Sequence, residues 1–122
     1  MMIKSIIGIA FDCENANELA DFYVKLTGWK KEISTNDWVA IRTPHGILMV
    51  FQTIEDYEPP IWPWENDKQQ QMAHIDFYVD NLEESVVHAL NVGAQKADIQ
   101  YFDTSTVMLD PAGHPFCLST VD

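Results

Sequence analysis

The chain carries an internal repeat, and that repeat constrains its fold more than any other feature. The stretch Gly8-Ile9-Ala10-Phe11-Asp12-Cys13-Glu14-Asn15 returns as His74-Ile75-Asp76-Phe77-Tyr78-Val79-Asp80-Asn81. Each copy is followed by an amphipathic segment and a small turn. Each later reaches a proline-glycine turn that opens a last apolar strand, Thr43-Pro44-His45-Gly46 in the first half and Asp110-Pro111-Ala112-Gly113 in the second. Two similar half-structures present two similar concave surfaces, and a pocket between them would be lined by matching positions of the copies. The repeat therefore serves as an internal alignment.

The local signals give each half the same order of elements. Ile3 to Asp12 is rich in β-branched and aromatic residues, which predicts a strand. Asn15 with Glu18 forms a capping-box-like pattern, and Leu19, Phe22, Tyr23 and Leu26 then recur at helical spacing, so a helix is expected over Ala16 to Leu26, ended by Gly28. Trp29 to Ser34, Trp38 to Arg42 and Ile47 to Thr53 read as strands separated by Thr35-Asn36-Asp37 and Pro44-His45-Gly46. In the second half, Met72 to Val79 predicts a strand. A helix follows over Leu82 to Leu90, capped by Asn81 and stopped by Gly93. The last strands fall at Gln95 to Phe102, Thr104 to Leu109 and Phe116 to Val121. Between the halves, residues 54 to 71 hold Pro59, Pro60 and Pro63 with Trp62 and Trp64, a long link of the kind that is often functional. The expected layout is one α+β domain, with module one about 1–53, the linker 54–71 and module two 72–122.

Charge and cysteine usage exclude several classes. Nineteen acidic against seven basic residues give a net charge of -12, which opposes nucleic acid and anionic membranes as partners, because phosphate contacts need Lys and Arg. The apolar run near the N-terminus is too short for a membrane span and lacks a cleavage pattern. Cys13 and Cys117 make neither a disulfide framework nor a zinc motif, so a reducing cytoplasm is expected.

Two β-α-β-β-β modules in this order resemble the vicinal-oxygen-chelate superfamily of glyoxalase I, bleomycin-resistance proteins and extradiol dioxygenases. The resemblance rests on Phe22-Tyr23 followed by Gly28-Trp29, on His74-Ile75-Asp76, and on Asp110-Pro111-Ala112-Gly113-His114-Pro115-Phe116. The linker, Pro59-Pro60-Ile61-Trp62-Pro63 followed by Gln69-Gln70-Gln71-Met72, is similar to that of short bacterial glyoxalase-like domain proteins. The resemblance implies a curved mixed sheet around a central cavity and a homodimer. It also implies metal ligands on the first and last strands of each module, at Gly8, Val50, His74 and Cys117. Gly8 and Val50 have no donor atom, and two protein ligands make a weak site for a divalent metal. The reading therefore expects no resident cofactor, with His74 and Cys117 as weak metal candidates.

On a strand, residues two apart share a face, so His74 and Asp76 point the same way. With Cys117, or with His114 from the preceding turn, they would supply three ligands. Without metal they form a hydrogen-bonded pair on a pocket wall, able to orient a ligand or to act as catalytic acid and base. Gly8 and Ala10, matching His74 and Asp76, leave room for a ligand or allow close packing. Asp12 either faces the pocket or closes a strand end, and Gln52, on the parity of Val50, either reaches the cavity mouth or ends its strand. Trp62 and Trp64 form a lid or a subunit contact, whereas Trp29 is expected in the core. Cys13 and Cys117 read first as small apolar residues, and a Cys117–His74 dyad would need a lowered thiol pKa.

The expected pocket is thus Gly8, Ala10, Val50, Gln52, Trp62, Trp64, His74, Asp76 and Cys117. Two function classes follow. One is a module that binds a small organic molecule without turnover. The other is a lyase- or dioxygenase-type enzyme, metal-dependent or metal-free, working through His74 and Asp76. A purely structural dimer is a third reading.

Overall fold

A computed structural model describes residues 2–121. Among them are two helices and eight strands in the order β1 (Gly8–Cys13), α1 (Ala16–Thr27), β2 (Lys31–Ser34), β3 (Trp38–Arg42), β4 (Leu48–Thr53), β5 (Ile75–Tyr78), α2 (Leu82–Asn91), β6 (Gln95–Lys96), β7 (Ser105–Leu109) and β8 (Pro115–Ser119). The fold is α+β, and the β-α-β-β-β order occurs twice. The chain divides into two compact units, one running to Tyr57 and the other beginning at Glu58. Each holds a four-stranded mixed sheet, β1-β4-β3-β2 in the first and β5-β8-β7-β6 in the second. In both, the first strand runs parallel to the last and the remaining pairs are antiparallel. Among the described residues, no helix is long and apolar enough to cross a membrane.

The helices start where their caps dictate. The Asn15 and Asn81 side chains each accept a hydrogen bond from the backbone N–H three residues on, at 3.0 Å in both cases, satisfying one of the donors that a helix start leaves open. Gly28 ends α1 in the left-handed conformation, which a residue with no Cβ adopts freely. The apolar face of α1 buries Leu19, Phe22 and Tyr23, and Tyr23 stacks on Phe51 of β4 with ring centroids 5.2 Å apart. In the second unit, Phe77 of β5 meets Phe116 of β8 edge to face at 5.8 Å. Alternation then sends Asp76 and Cys117 to the opposite sheet face from these rings.

Several strands are shorter than the sequence predicts, among them the one expected over Met72 to Val79, which spans Ile75–Tyr78 and leaves His74 just before it, and the one expected from Trp29, which begins at Lys31. The first strand was expected from Ile3 but begins at Gly8. Its partner β4 begins at Leu48, after the Pro44-His45-Gly46 turn, so within this unit the ladder has no partner for earlier residues beyond the Leu48 N–H to Ile7 carbonyl bond. The strand expected over Gln95 to Phe102 ends at Lys96. There the Gln100 side chain takes the place of a strand. Its amide donates to the Ala97 and Val107 carbonyls and its oxygen accepts from the Val107 N–H, all at 2.8 Å. One amide thus does the pairing that continued β6 backbone would do along β7.

The link between the modules joins the second unit. The Ile61 N–H bonds to the Gln69 carbonyl at 2.9 Å, and the Trp62 Nε1–H donates to the Ile99 carbonyl at 2.9 Å while its ring packs edge-on against Tyr101. Gly113 lies so close to Pro59 that a Cβ would meet the proline at 2.9 Å, so a glycine is required there by space as well as by its positive φ.

Candidate functional site

The parallel pairing of β5 with β8 builds the polar site of the second unit. Its register sets Asp76 opposite Cys117, and His74 precedes Asp76 on the same face. The His74 Nε2 and an Asp76 carboxylate oxygen are 3.1 Å apart. One donor atom from each of His74, Asp76 and Cys117 lies within 4.8 Å of the other two. His114 is not part of this cluster. Its backbone N–H bonds to the Asp110 carboxylate at 3.0 Å, which organises the turn before β8.

Electrostatics argue against a nucleophilic thiol. Burial, then the hydrogen bond to Asp76 and the charge of that carboxylate, push the Cys117 pKa from its ordinary 9.0 up to about 11. A thiolate nucleophile needs a cationic neighbour, and here the adjacent group is an anion. Cys117 therefore stays a neutral thiol that donates toward Asp76.

A cleft of about 340 Å³ adjoins the cluster, lined by Pro63, Trp64, Gln70, Gln71, Met72, Ala73 and His74. Trp64, 60% exposed, presents an aromatic surface there. The Gln71 Oε1 is buried and has no hydrogen-bond partner, and such an acceptor carries a desolvation cost until a donor reaches it. Met72 adopts a positive φ of 62°, a conformation that favours glycine and tends to occur where surrounding structure imposes it. Gln71 and Met72 were not singled out as site residues from the sequence. The only available signal was their position, directly before His74 at the end of the irregular link.

The other expected pocket residues have different surroundings. Trp62 does not line this cleft, because its ring and Nε1–H are committed to Tyr101 and Ile99. In the first unit, a Cβ on Gly8 would stand 3.1 Å from the Leu48 carbonyl oxygen and 3.5 Å from Val50 Cγ2, so the small residue permits a close approach of β4. Val50 is buried with Ala40 and Leu48, against which Trp38 packs. Ala10 is exposed and pairs with Val50. Gln52 donates to the Asp12 carboxylate at 2.8 Å across the same ladder, and Trp29 is half-buried rather than deep in the core. The four positions that the resemblance assigns to a metal are thus a glycine packed on its neighbour strand, a buried valine, a histidine and a cysteine. They do not fit a four-ligand set contributed by both modules.

Comparison with known proteins agrees with this architecture. Residues 8–119 match the family described as "Glyoxalase-like domain". A glyoxalase/bleomycin resistance protein/dioxygenase family enzyme from Burkholderia phytofirmans superposes with a TM-score of 0.72 at 14% identity, covering 94% of this chain and 97% of that one. A glyoxalase family protein from Enterococcus faecalis gives 0.69 at 20% identity, with 98% and 99% covered. A glyoxalase-related enzyme from Fulvimarina pelagi gives 0.71 at 12% identity, with 96% and 88% covered. At these identities the structural likeness establishes the fold alone. Among curated proteins no match was found. With 112 consecutive residues matched to one family and the same fold in each superposed structure, the chain belongs to the glyoxalase-like domain family.

Proposed function

We propose that the protein binds a small organic molecule on its second module and works as a homodimer. The observation that carries this reading is the cleft ending at His74, where an exposed tryptophan and a buried, unpartnered amide oxygen stand together. An apolar or aromatic ligand stacks on Trp64. A ligand N–H or O–H reaches Gln71 Oε1, and His74, oriented by Asp76, fixes a second polar group. A screen of small aromatic molecules by tryptophan fluorescence and thermal shift tests this. Binders are expected to quench fluorescence, and both Trp64→Ala and Gln71→Leu are expected to weaken binding at least tenfold. Failure of every compound to stabilise the protein overturns the reading.

A second reading rests on the close approach of His74 Nε2 to an Asp76 carboxylate oxygen, 3.1 Å apart. An imidazole that keeps Nε2 toward Asp76 and its proton there would leave the Nδ1 lone pair to take a proton from a bound ligand. Any binder from the same screen is then followed for conversion to product. Turnover that Asp76→Asn abolishes while affinity stays within threefold would make the protein an enzyme rather than a binding module.

A further inference from the structure

We infer that the cleft ending at His74 selects a cationic ligand, an organic ammonium carried on an aromatic or apolar body, and that Gln71 and Trp64 set this preference. The inference rests on the ligand reading above and adds the sign of the ligand's charge and the group it must bring.

Backbone bonds shape the cleft. The Ile61 N–H bonds to the Gln69 carbonyl at 2.9 Å, which closes the link between the modules into a loop. The Trp62 indole is pinned to the Ile99 carbonyl, so the loop that carries Trp64 is anchored on the second unit. The Ala73 N–H bonds back to the Gln71 carbonyl at 2.6 Å around Met72, whose φ is 62°. A bond between residues two apart around a positive φ makes a tight three-residue turn, and that turn fixes Gln71 relative to His74.

The polar groups of the cleft ask for a donor. Gln71 Oε1 is buried with no partner, so the cost of stripping its water falls on folding, and a ligand N–H there gains its full bond. Donors on the walls are few. Pro63 has no N–H, and the Ala73 N–H is spent on the Gln71 carbonyl. His74, at the end of the cleft, has its Nε2 at 3.1 Å from the Asp76 carboxylate. Among the described residues that line the cleft, none is Lys or Arg.

Charge then separates an ammonium from a neutral hydroxyl, which could also donate to Gln71. Trp64 is 60% exposed, and indole is the aromatic face that attracts a cation most strongly. The acidity of the chain is also uneven. From Glu58 onward the sequence holds eleven Asp and Glu against Lys68 and Lys96 alone, so most of the net charge of -12 lies in the module that carries the cleft. A carboxylate or phosphate ligand meets this field with no lining cation to receive it, whereas an ammonium is drawn in by it. The ammonium donates one N–H to Gln71 Oε1 and lies against the indole face, while Pro63 and Met72 supply apolar wall for the rest of the molecule.

The test compares three molecules of equal ring and chain on the full-length protein by isothermal titration calorimetry: 2-phenylethylamine, 2-phenylethanol and phenylacetate. The amine is expected to bind at least tenfold more tightly than the alcohol, and phenylacetate more weakly than either. Trp64→Leu, which keeps apolar surface and removes the indole face, should weaken the amine at least tenfold. Ala73→Lys, at an exposed position on the cleft wall, should reverse the preference, weakening the amine at least tenfold and admitting phenylacetate. Val87→Lys adds the same charge at an exposed position on α2 outside the cleft and should leave amine binding within threefold. Circular dichroism confirms that each variant is folded. Equal weakening by Ala73→Lys and Val87→Lys, or amine binding indifferent to Trp64→Leu, would mean general attraction to an acidic surface and would overturn the inference. Alcohol or phenylacetate binding as tightly as the amine, and lost with Trp64→Ala, would overturn the charge preference and leave the cleft reading standing. Failure of all three molecules to bind would count against both.

Discussion

Cys117 shows how one neighbour sets the chemistry of a residue. Next to a cation its thiol would be a nucleophile. Beside Asp76 it is held neutral, its pKa raised by burial first and then by the carboxylate's hydrogen bond and charge. In the metal-free protein with chelator present, alkylation of Cys117 by iodoacetamide at pH 8 is therefore expected to run roughly 10- to 100-fold slower than that of a small free thiol, since only thiolate reacts. Asp76→Ala removes two of the three causes, the hydrogen bond and the charge, and should speed it. The same shift carries a pH dependence. The folded pKa of about 11 lies above the ordinary 9.0, so the folded state is favoured by the neutral thiol below about pH 9, and that contribution is lost as pH rises through 9 to 11. A urea midpoint that falls over this window in the wild type, and falls less in Cys117→Ser, is the expected result. A Cys117 that alkylates as fast as a free thiol would contradict the geometry. The parity of His74 with Asp76 was readable from two-residue spacing alone. Their meeting with Cys117 was expected only through the family resemblance, because it depends on β5 and β8 being neighbours, a fact of strand order that no local pattern encodes.

At the scale of elements, the caps and periodicities were legible because their signals are local. Asn15 and Asn81 bond within their own first turns, and the helices stop within a residue of the predicted ends. The strand predicted through Phe102 failed because propensity cannot see a side chain standing in for backbone. Ile99, Tyr101 and Phe102 favour a strand, yet Gln100 turns its amide onto Val107 and satisfies the ladder that the strand would have used. Val107 is buried, and its N–H has Gln100 as partner, whereas its carbonyl also accepts from the Ala97 N–H at 3.1 Å. Gln100→Ala thus strands one buried donor. The expected cost is about 1–3 kcal/mol, measured as a lower urea midpoint with an unchanged slope. An unchanged midpoint would mean that residues 98–102 can pair as the strand their composition suggests. Trp62 belongs to the same lesson. Its place in a proline-rich link suggested a lid, but an indole N–H needs an acceptor when half-buried, and the Ile99 carbonyl left free by the shortened strand supplies one.

At the scale of the whole molecule, the open sheet edges decide whether the chain stays alone. An unpaired edge invites a strand from another copy unless charge guards it. The β2 edge carries Lys31 and Glu32, and the short β6 edge carries Lys96. The β1 and β5 edges have no Lys or Arg, β1 carrying only Asp12 near its end and β5 only Asp76, and the two differ in what precedes them. The residues before β1 extend an apolar surface, with Met2 98%, Ile3 79% and Ile7 79% exposed. Such a surface is costly in water, and the homodimer proposed above would cover it with its equivalent in a two-fold-related copy. Opposing this is the repulsion between two chains of net charge -12, which salt screens. Sedimentation velocity is therefore expected to show a dimer at micromolar concentration that tightens as sodium chloride is raised from 20 to about 150 mM, where the Debye length falls to about 8 Å. Ile7→Lys places a charge at the centre of the apolar run and should give a monomer with unchanged circular dichroism, because Ile7 is exposed within the chain. A wild-type monomer at every salt concentration, or a dimer indifferent to Ile7→Lys, would remove this edge as the contact.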